Sequence, residues 1–319
     1  MLKFLDLHNI DDSYDEYILT RNNQTFFLSK KFLNYHYKKF KTNYLIFSKN
    51  NIDILAIPIS INKNILQSHP GTSYGGIIQL NEIENYSNLF NEFIQELKKS
   101  KYELKIKLPH PNLIDEKTSI YNNLVHQNMT PEFIEEETII DISETDYSTT
   151  TNCNFNKGHK TEINRFRNNV NFNFFQISNE RFKDYYEILY KNTLKFNKFP
   201  THSYEEFVYL HDLFPNKIKT YCVLDKVSKK IISGVTIFKL NLKTVSAFYS
   251  TYNYEMGSEY RGSLKYVYWQ LFDLLQKEGF EYFNFGIDVT FGNPPSDSLR
   301  YFKNGFGGFQ LPRYHYIIK

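Results

Sequence analysis

At 319 residues, 41% hydrophobic and 18% aromatic, the chain carries enough apolar bulk for two cores of ordinary size. A formal net charge of +3 argues against a nucleic-acid footprint spread over the whole surface. Cys153 and Cys222 are too few and too isolated for a disulfide framework or a metal site, and no His-x-x-x-His spacing occurs, so no metal is expected.

In chain order, the first half predicts a helix over Phe27 to Phe40 and strands over Tyr44 to Phe47 and Asp53 to Ile59. A loop holding Ser73-Tyr74-Gly75-Gly76 follows, then a helix from near Ile83 to Lys99 and a strand over Tyr102 to Lys107. Thr138 to Ile142 adds a strand, and the polar, Thr-rich Asp146 to Asn152 is the best linker candidate, placing domains at 1–146 and 147–319.

The second half opens on a basic helical segment, Lys157 to Arg165, and a strand over Val170 to Ser178. One helix runs from Asn179 through Leu194, and another starts at Ser203, which caps it with Glu206 three residues on. Strands over Thr220 to Leu224, Ile231 to Leu240 and Thr244 to Tyr252 are joined by connections short enough for antiparallel hairpins. A helix from Gly262 to Glu278 then returns the chain to a strand over Phe280 to Phe285, which requires a crossover and a parallel pair. A short helix over Ser298 to Asn304 and final strands from Gly308 to Ile318 complete the chain.

The two halves match without a gap at an offset of 178 positions. Leu89, Phe90, Phe93, Ile94 and Leu97 align with Val267, Tyr268, Leu271, Phe272 and Leu275, the same face of an amphipathic helix. Leu55-Ala56-Ile57 aligns with Ser233-Gly234-Val235, and Tyr102 to Lys107 with Phe280 to Phe285. The match predicts a duplicated α/β unit and a cleft between the copies.

This element order resembles the GNAT N-acyltransferase fold and, doubled in one chain, the Fem-type and related tandem GNAT proteins. The tightest local matches are Phe283-Asn284-Phe285-Gly286-Ile287-Asp288 with Leu299-Arg300-Tyr301-Phe302-Lys303-Asn304-Gly305-Phe306-Gly307-Gly308, similar to that family's closing strand-Gly segment and Phe-Lys-x-Gly-Phe-Gly signature, and Lys157 to Arg165, similar to the basic helix that begins its second domain. The resemblance implies two tandem GNAT-like domains, each a mixed, mostly antiparallel sheet flanked by helices with a splayed parallel strand pair. It also implies acyl transfer by direct attack of an amine on a thioester, with an exposed backbone N–H on the fourth strand as oxyanion donor. Here that backbone lies near Phe248 to Ser250. The chain departs from the family where Gly257-Ser258-Glu259-Tyr260-Arg261-Gly262-Ser263 replaces the Arg/Gln-x-x-Gly-x-Gly/Ala turn that holds the pyrophosphate of coenzyme A. Ser250, Arg261, Gly262 and Ser263 are the cofactor-binding candidates, since a helix N-terminus binds phosphate through its free N–H groups. The helical hairpin that several Fem peptidyltransferases insert is missing.

Asp288, just past a strand end, reads as an amine-proton acceptor or as a turn residue, with Glu255 as a further acceptor. His159 is a second candidate base, and Tyr249 is placed to reach the reacting centre. Lys157, Lys160 and Arg165 read as a diphosphate clamp or a solvated helix face. Tyr74 and Gly75 fit a ligand-stacking loop or a tight turn, and His110 a substrate contact or a rigid Pro-His-Pro turn. Lys303 fits a phosphate or carboxylate, or an exposed position on an amphipathic helix. The implied reaction moves an acyl group from acyl-CoA to the amine of a nucleotide-linked amino sugar, with no nucleic acid, no membrane span and a cytoplasmic location. The alternatives are a Fem-like aminoacyl transfer from charged transfer RNA and a non-catalytic glycan- or nucleotide-binding protein.

Overall fold

The computed structural model describes residues 1–11, 25–81, 85–114, 120–288 and 296–319. The chain divides into two compact units, one of residues 1–136, 240–243 and 311–319, the other of residues 137–239 and 244–310.

In the first unit, β1 (Leu2–Asp6), β2 (Thr42–Lys49), β3 (Ile52–Asn62), β4 (Ile65–Ser68), β6 (Glu103–Leu108) and β13 (Phe309–Ile318) lie side by side in that order, with β5 (Ile78–Gln79) also pairing β3. Only β4 and β6 run parallel, across the crossover that α2 (Tyr86–Lys99) makes. Alternation decides the two faces. Leu45, Phe47, Leu55 and Ile57 meet α2 and α3 (Ile120–Asn128), while Tyr44, Ile46 and Ala56 pack with Leu28 and with Leu33 of α1 (Lys30–His36). The helix expected over Phe27 to Phe40 is shorter because Ser29, its side chain accepting from Phe32 N, caps it late. Ile83, near the expected start of α2, lies outside the described residues; α2 begins at Tyr86, after its Asn85 cap. β1, β4 and α3 were not expected.

The second unit has the same internal logic. Its strands run β7 (Phe133–Asp141), β12 (Tyr282–Ile287), β11 (Thr244–Tyr252), β10 (Ile231–Lys239), β9 (Ile218–Asp225), β8 (Phe172–Gln176), with only β11 and β12 parallel. The helix α7 (Ser263–Lys277) makes the crossover and buries Val267, Tyr268, Leu271, Phe272 and Leu275 against one sheet face, beside Ile163 and Phe166 of α4 (Lys157–Asn169). On the other face, α5 (Phe182–Leu194) and α6 (Tyr204–Leu213) pack Phe182, Tyr185, Leu189 and Phe207 on Cys222, Leu224 and Tyr249. The capping box at Ser203 and Glu206 forms as expected. β12 begins two residues later than expected because Gly279 takes a left-handed conformation and Phe280 N still donates to Leu275 O at the end of α7. The polar Asp146 to Asn152 stretch packs within this unit: Trp269 Nε1 donates to Tyr147 O at 3.0 Å, and Tyr147 is buried against Phe272. No described helix is long and apolar enough to cross a membrane.

Candidate functional site

The pairing of β11 with β12 stops early. Thr244, Val245 and Ser246 pair with Tyr282, Phe283 and Asn284, yet β11 continues to Tyr252 and β12 to Ile287. From Ala247 onward the β12-facing edge of β11 has no ladder partner among the described residues. A bulge lies at the same place: Thr236 of β10 opposes Tyr249 and Ile237 opposes Ala247, leaving Phe248 as the extra residue. The bulge shifts the side-chain alternation by one. Val245 and Ala247 face α7, Phe248 and Tyr249 face α5 and α6, and Ser250 and Tyr252 turn back toward α7.

Ser250 is exposed, and its hydroxyl bonds the buried Tyr268 hydroxyl from α7. Burial holds the Tyr268 phenol well above its ordinary pKa, so it stays protonated. Tyr268 was read from the sequence only as a core aromatic, since its helical spacing is that of the packed face. Tyr249 lies on the opposite face, its hydroxyl accepting from His202 N at 3.0 Å.

At the start of α7, Gly262 adopts φ 92°, and a Cβ there would lie 2.4 Å from Glu162 O of α4. No side chain caps the first turn. Ser263 is fully buried and its hydroxyl has no hydrogen-bond partner among the described residues. Arg261 is exposed beside it, and Lys265 in the same turn pairs with Glu162 at 2.7 Å. An uncapped positive helix end with an orphaned hydroxyl and the exposed Arg261 fits an anionic group, while Glu162 neutralises Lys265.

Asp288 follows the end of β12 and is 1% exposed. Its Oδ1 is 2.8 Å from Lys303 Nζ and its Oδ2 is 3.1 Å from Arg300 Nε, both on α8 (Asp297–Asn304), while Thr138 Oγ1 donates to it from β7. Lys303, 4% exposed, also donates to Gly286 O and Ile287 O at 2.9 Å. The exposed amphipathic position considered for Lys303 is therefore corrected: the ammonium is buried, and burial lowers its pKa against the raising effect of Asp288. Arg300 and Lys303 stand one turn apart on α8, a spacing that aims both at one carboxylate and was legible in the sequence but unused.

His159, 2% exposed, bonds Phe302 O through Nε2 at 2.9 Å, which fixes Nε2 as the protonated nitrogen. Burial lowers its pKa to about 4. Gly305 packs on the ring so closely that a Cβ would meet it at 2.3 Å. Along α4, Lys160 Nζ donates to Thr151 O at 2.9 Å, and Lys157 and Arg165 are exposed. Glu255 is exposed and paired with Lys191 at 2.7 Å.

Tyr74, Gly75 and His110 belong to the first unit. Tyr74 is buried, with the Arg313 guanidinium 5.9 Å from its ring centroid. Gly75 N donates to Lys107 O at 2.8 Å, and a Cβ on Gly75 would lie 2.2 Å from Ser68 O. The Thr72 to Gly75 loop thus fills the place beyond the end of β4 that stays open beside β11, with Lys107 Nζ bonding Thr72 O at 2.9 Å. His110 accepts from Asn112 N through Nδ1 at 3.2 Å, as a turn residue does. Within the first unit, and unsuspected from any motif, Glu135 at the start of β7 accepts from Arg313 Nε at 2.9 Å and contacts His315 at 2.6 Å, which holds its carboxyl at about 2.

No protein-family model matches the chain, and no curated protein matches it. Solved structures do. FemX superposes with a TM-score of 0.64 at 11% identity, over 99% of this chain and 97% of its own. A conserved protein of unknown function from Bacteroides thetaiotaomicron VPI-5482 superposes with a TM-score of 0.65 at 14% identity over the full length of both. The C-terminal domain of a putative lysylphosphatidylglycerol synthetase from Agrobacterium fabrum gives 0.59 at 13% identity, over 97% of this chain and 92% of its own. At these identities the likeness is one of fold, and the architecture read from the element order, two α/β units each with a mostly antiparallel sheet, flanking helices and one parallel strand pair, is the one the chain adopts.

Proposed function

We propose that the chain is a GNAT-type N-acyltransferase whose reacting centre lies in the second unit, where β11 and β12 part. The single observation that carries this reading is the coincidence of the ladder's end at Ser246 and Asn284 with the bulge at Phe248. Together they expose backbone polar groups of Phe248 to Ser250 on an edge that a donor chain can line as an added strand. The proposed donor is acyl-CoA, which supplies an acyl group activated as a thioester. Its phosphates would be held by the first turn of α7, Arg261 and Lys265, and the acceptor would be the amine of a nucleotide-linked amino sugar.

In this reading Ser250, oriented by Tyr268, is the polar side chain nearest the reacting atoms. Asp288, Arg300 and Lys303 anchor the end of β12 and keep the strands parted, and His159 locks α4 to α8. All three oxygen- and nitrogen-bearing candidates for the base are committed to protein partners, so the amine proton leaves to water. Titrating coenzyme A into the protein by calorimetry, and following thiol release from acyl-CoA over a panel of nucleotide-linked amino sugars, tests it. Binding and turnover are expected, with Ser250→Ala lowering kcat about tenfold while the chain stays folded, at a stability cost of about 1–3 kcal/mol for the Tyr268 hydroxyl it leaves unpartnered. No coenzyme A binding by the wild-type chain sinks the donor assignment.

A specific feature favours a second reading. The Glu162 carboxylate stands beside the start of α7, where it opposes a diphosphate. The fold likeness to FemX and to a putative lysylphosphatidylglycerol synthetase supports the same direction: an aminoacyl ester of transfer RNA as donor. Binding of transfer RNA without coenzyme A binding would select it.

A further inference from the structure

Two phenylalanines in the second unit lie outside its core, Phe199 touching only the half-exposed Tyr190 ring among the described aromatic contacts. Phe196 and Phe199, in the turn after α5, are 71% and 69% exposed, and Leu194 and Tyr190 are exposed beside them. The turn is not loose. Phe196 N and Lys198 N both donate to Thr193 O, Asn197 N donates to Leu194 O, and Asn197 takes a left-handed φ of 53°. On one side Asn192 Nδ2 donates to Tyr252 O at 2.8 Å, tying the end of α5 to the end of β11. On the other, Tyr186 OH donates to His202 O at 2.7 Å.

The segment that forms this apolar tip carries charge of one sign. Residues 191–200 hold Lys191, Lys195 and Lys198 and no acidic residue. A hollow of about 290 Å³ adjoins the turn, lined by five cations (Arg181, Lys191, Lys195, Lys229, Lys230) and three carboxylates. Two of those carboxylates are already paired, Asp184 with Arg181 and Glu255 with Lys191. Lys195 Nζ sits 3.6 Å from the Tyr254 ring centroid at the rim. Aromatic rings on a pinned turn, with lysines at their base and a basic hollow alongside, match a bilayer surface carrying anionic phospholipid. The rings enter the acyl boundary, the lysine stems snorkel, and the hollow takes a headgroup phosphate.

We infer that the Leu194–Phe199 turn and the Arg181–Lys230 hollow form a peripheral docking site for anionic phospholipid bilayers. The inference is independent of the donor and acceptor proposed above, because the experiment uses neither. Full-length protein is sedimented with vesicles of phosphatidylcholine alone or of phosphatidylcholine mixed with phosphatidylglycerol. The expected result is binding to the anionic vesicles only, weakened by added salt. Phe196→Ser/Phe199→Ser should lower partitioning at least about tenfold with an unchanged melting temperature. Lys195→Gln/Lys230→Gln should reduce both the preference for phosphatidylglycerol and the salt dependence. Failure of the wild type to bind anionic vesicles overturns the inference, as does a serine variant that binds like wild type. So does a concentration-dependent dimer abolished by the serine variant without any vesicle binding, which assigns the turn to self-association.

Discussion

Asp288 shows how much a single carboxylate can hold in place. Its oxygens satisfy a buried lysine, a half-buried arginine and a threonine, and that lysine in turn satisfies two carbonyls at the end of β12. Removing it strands the Lys303 ammonium in a medium that cannot solvate it. Asp288→Ala should therefore cost about 3–5 kcal/mol in urea unfolding, with part recovered in Asp288→Ala/Lys303→Met. A catalytic base would instead lose rate at constant stability. Buried histidines set the acid limit. Burial lowers His126, His159 and His211 to about 4 and His69 to about 3. The folded chain then binds fewer protons than the unfolded one below the ordinary value of about 6.5, so stability is level above that value and falls as pH drops toward about 4. Each such histidine adds a slope of about 1.4 kcal/mol per pH unit within the window. Glu135, held at about 2, contributes only at lower pH, its stabilisation being lost as pH falls below about 4.5. Urea midpoints should be flat from about pH 8 to about pH 7 and decline below, less steeply in His211→Gln.

The element that matters most to the proposed site is the entry to α7. Gly262 combines a left-handed φ with a carbonyl where a side chain would begin, whereas Gly286, also left-handed at φ 73°, has open space around its missing Cβ. Gly262→Ala should cost about 2 kcal/mol or more and weaken donor binding, while Gly286→Ala should cost only about 1 kcal/mol, compared by thermal melts and calorimetry. The sequence disclosed the elements whose signals are local. Ser203 and Glu206 announced a capping box, and the spacing of Val267, Tyr268, Leu271, Phe272 and Leu275 announced a buried helix. It could not disclose the bulge at Phe248, because an extra residue exists only relative to a paired strand. The ion cluster at Asp288 was equally hidden, since its partners come from α8 and β7. β4 escaped notice because four residues are too few to show a period.

Across the whole chain, the two units share an element order but treat their parallel pair differently. Beside β11 the edge is left open; beyond β4 the Thr72–Gly75 loop closes on Lys107. On the proposed reading only the parting beside β11 is open to a donor, and calorimetry should find a single donor per chain rather than two. Gly75 marks the closed side, having no room for a side chain against Ser68. A further consequence follows from β13, which pairs Tyr314 to Ile318 with β6 and adds Tyr316 and Ile318 to the apolar interior of the first unit. During translation the second unit emerges complete while the first still waits for residues 311–319. The half made earliest on the ribosome is consequently finished last, and its open β6 edge is the surface a chaperone would have to guard in the nascent protein.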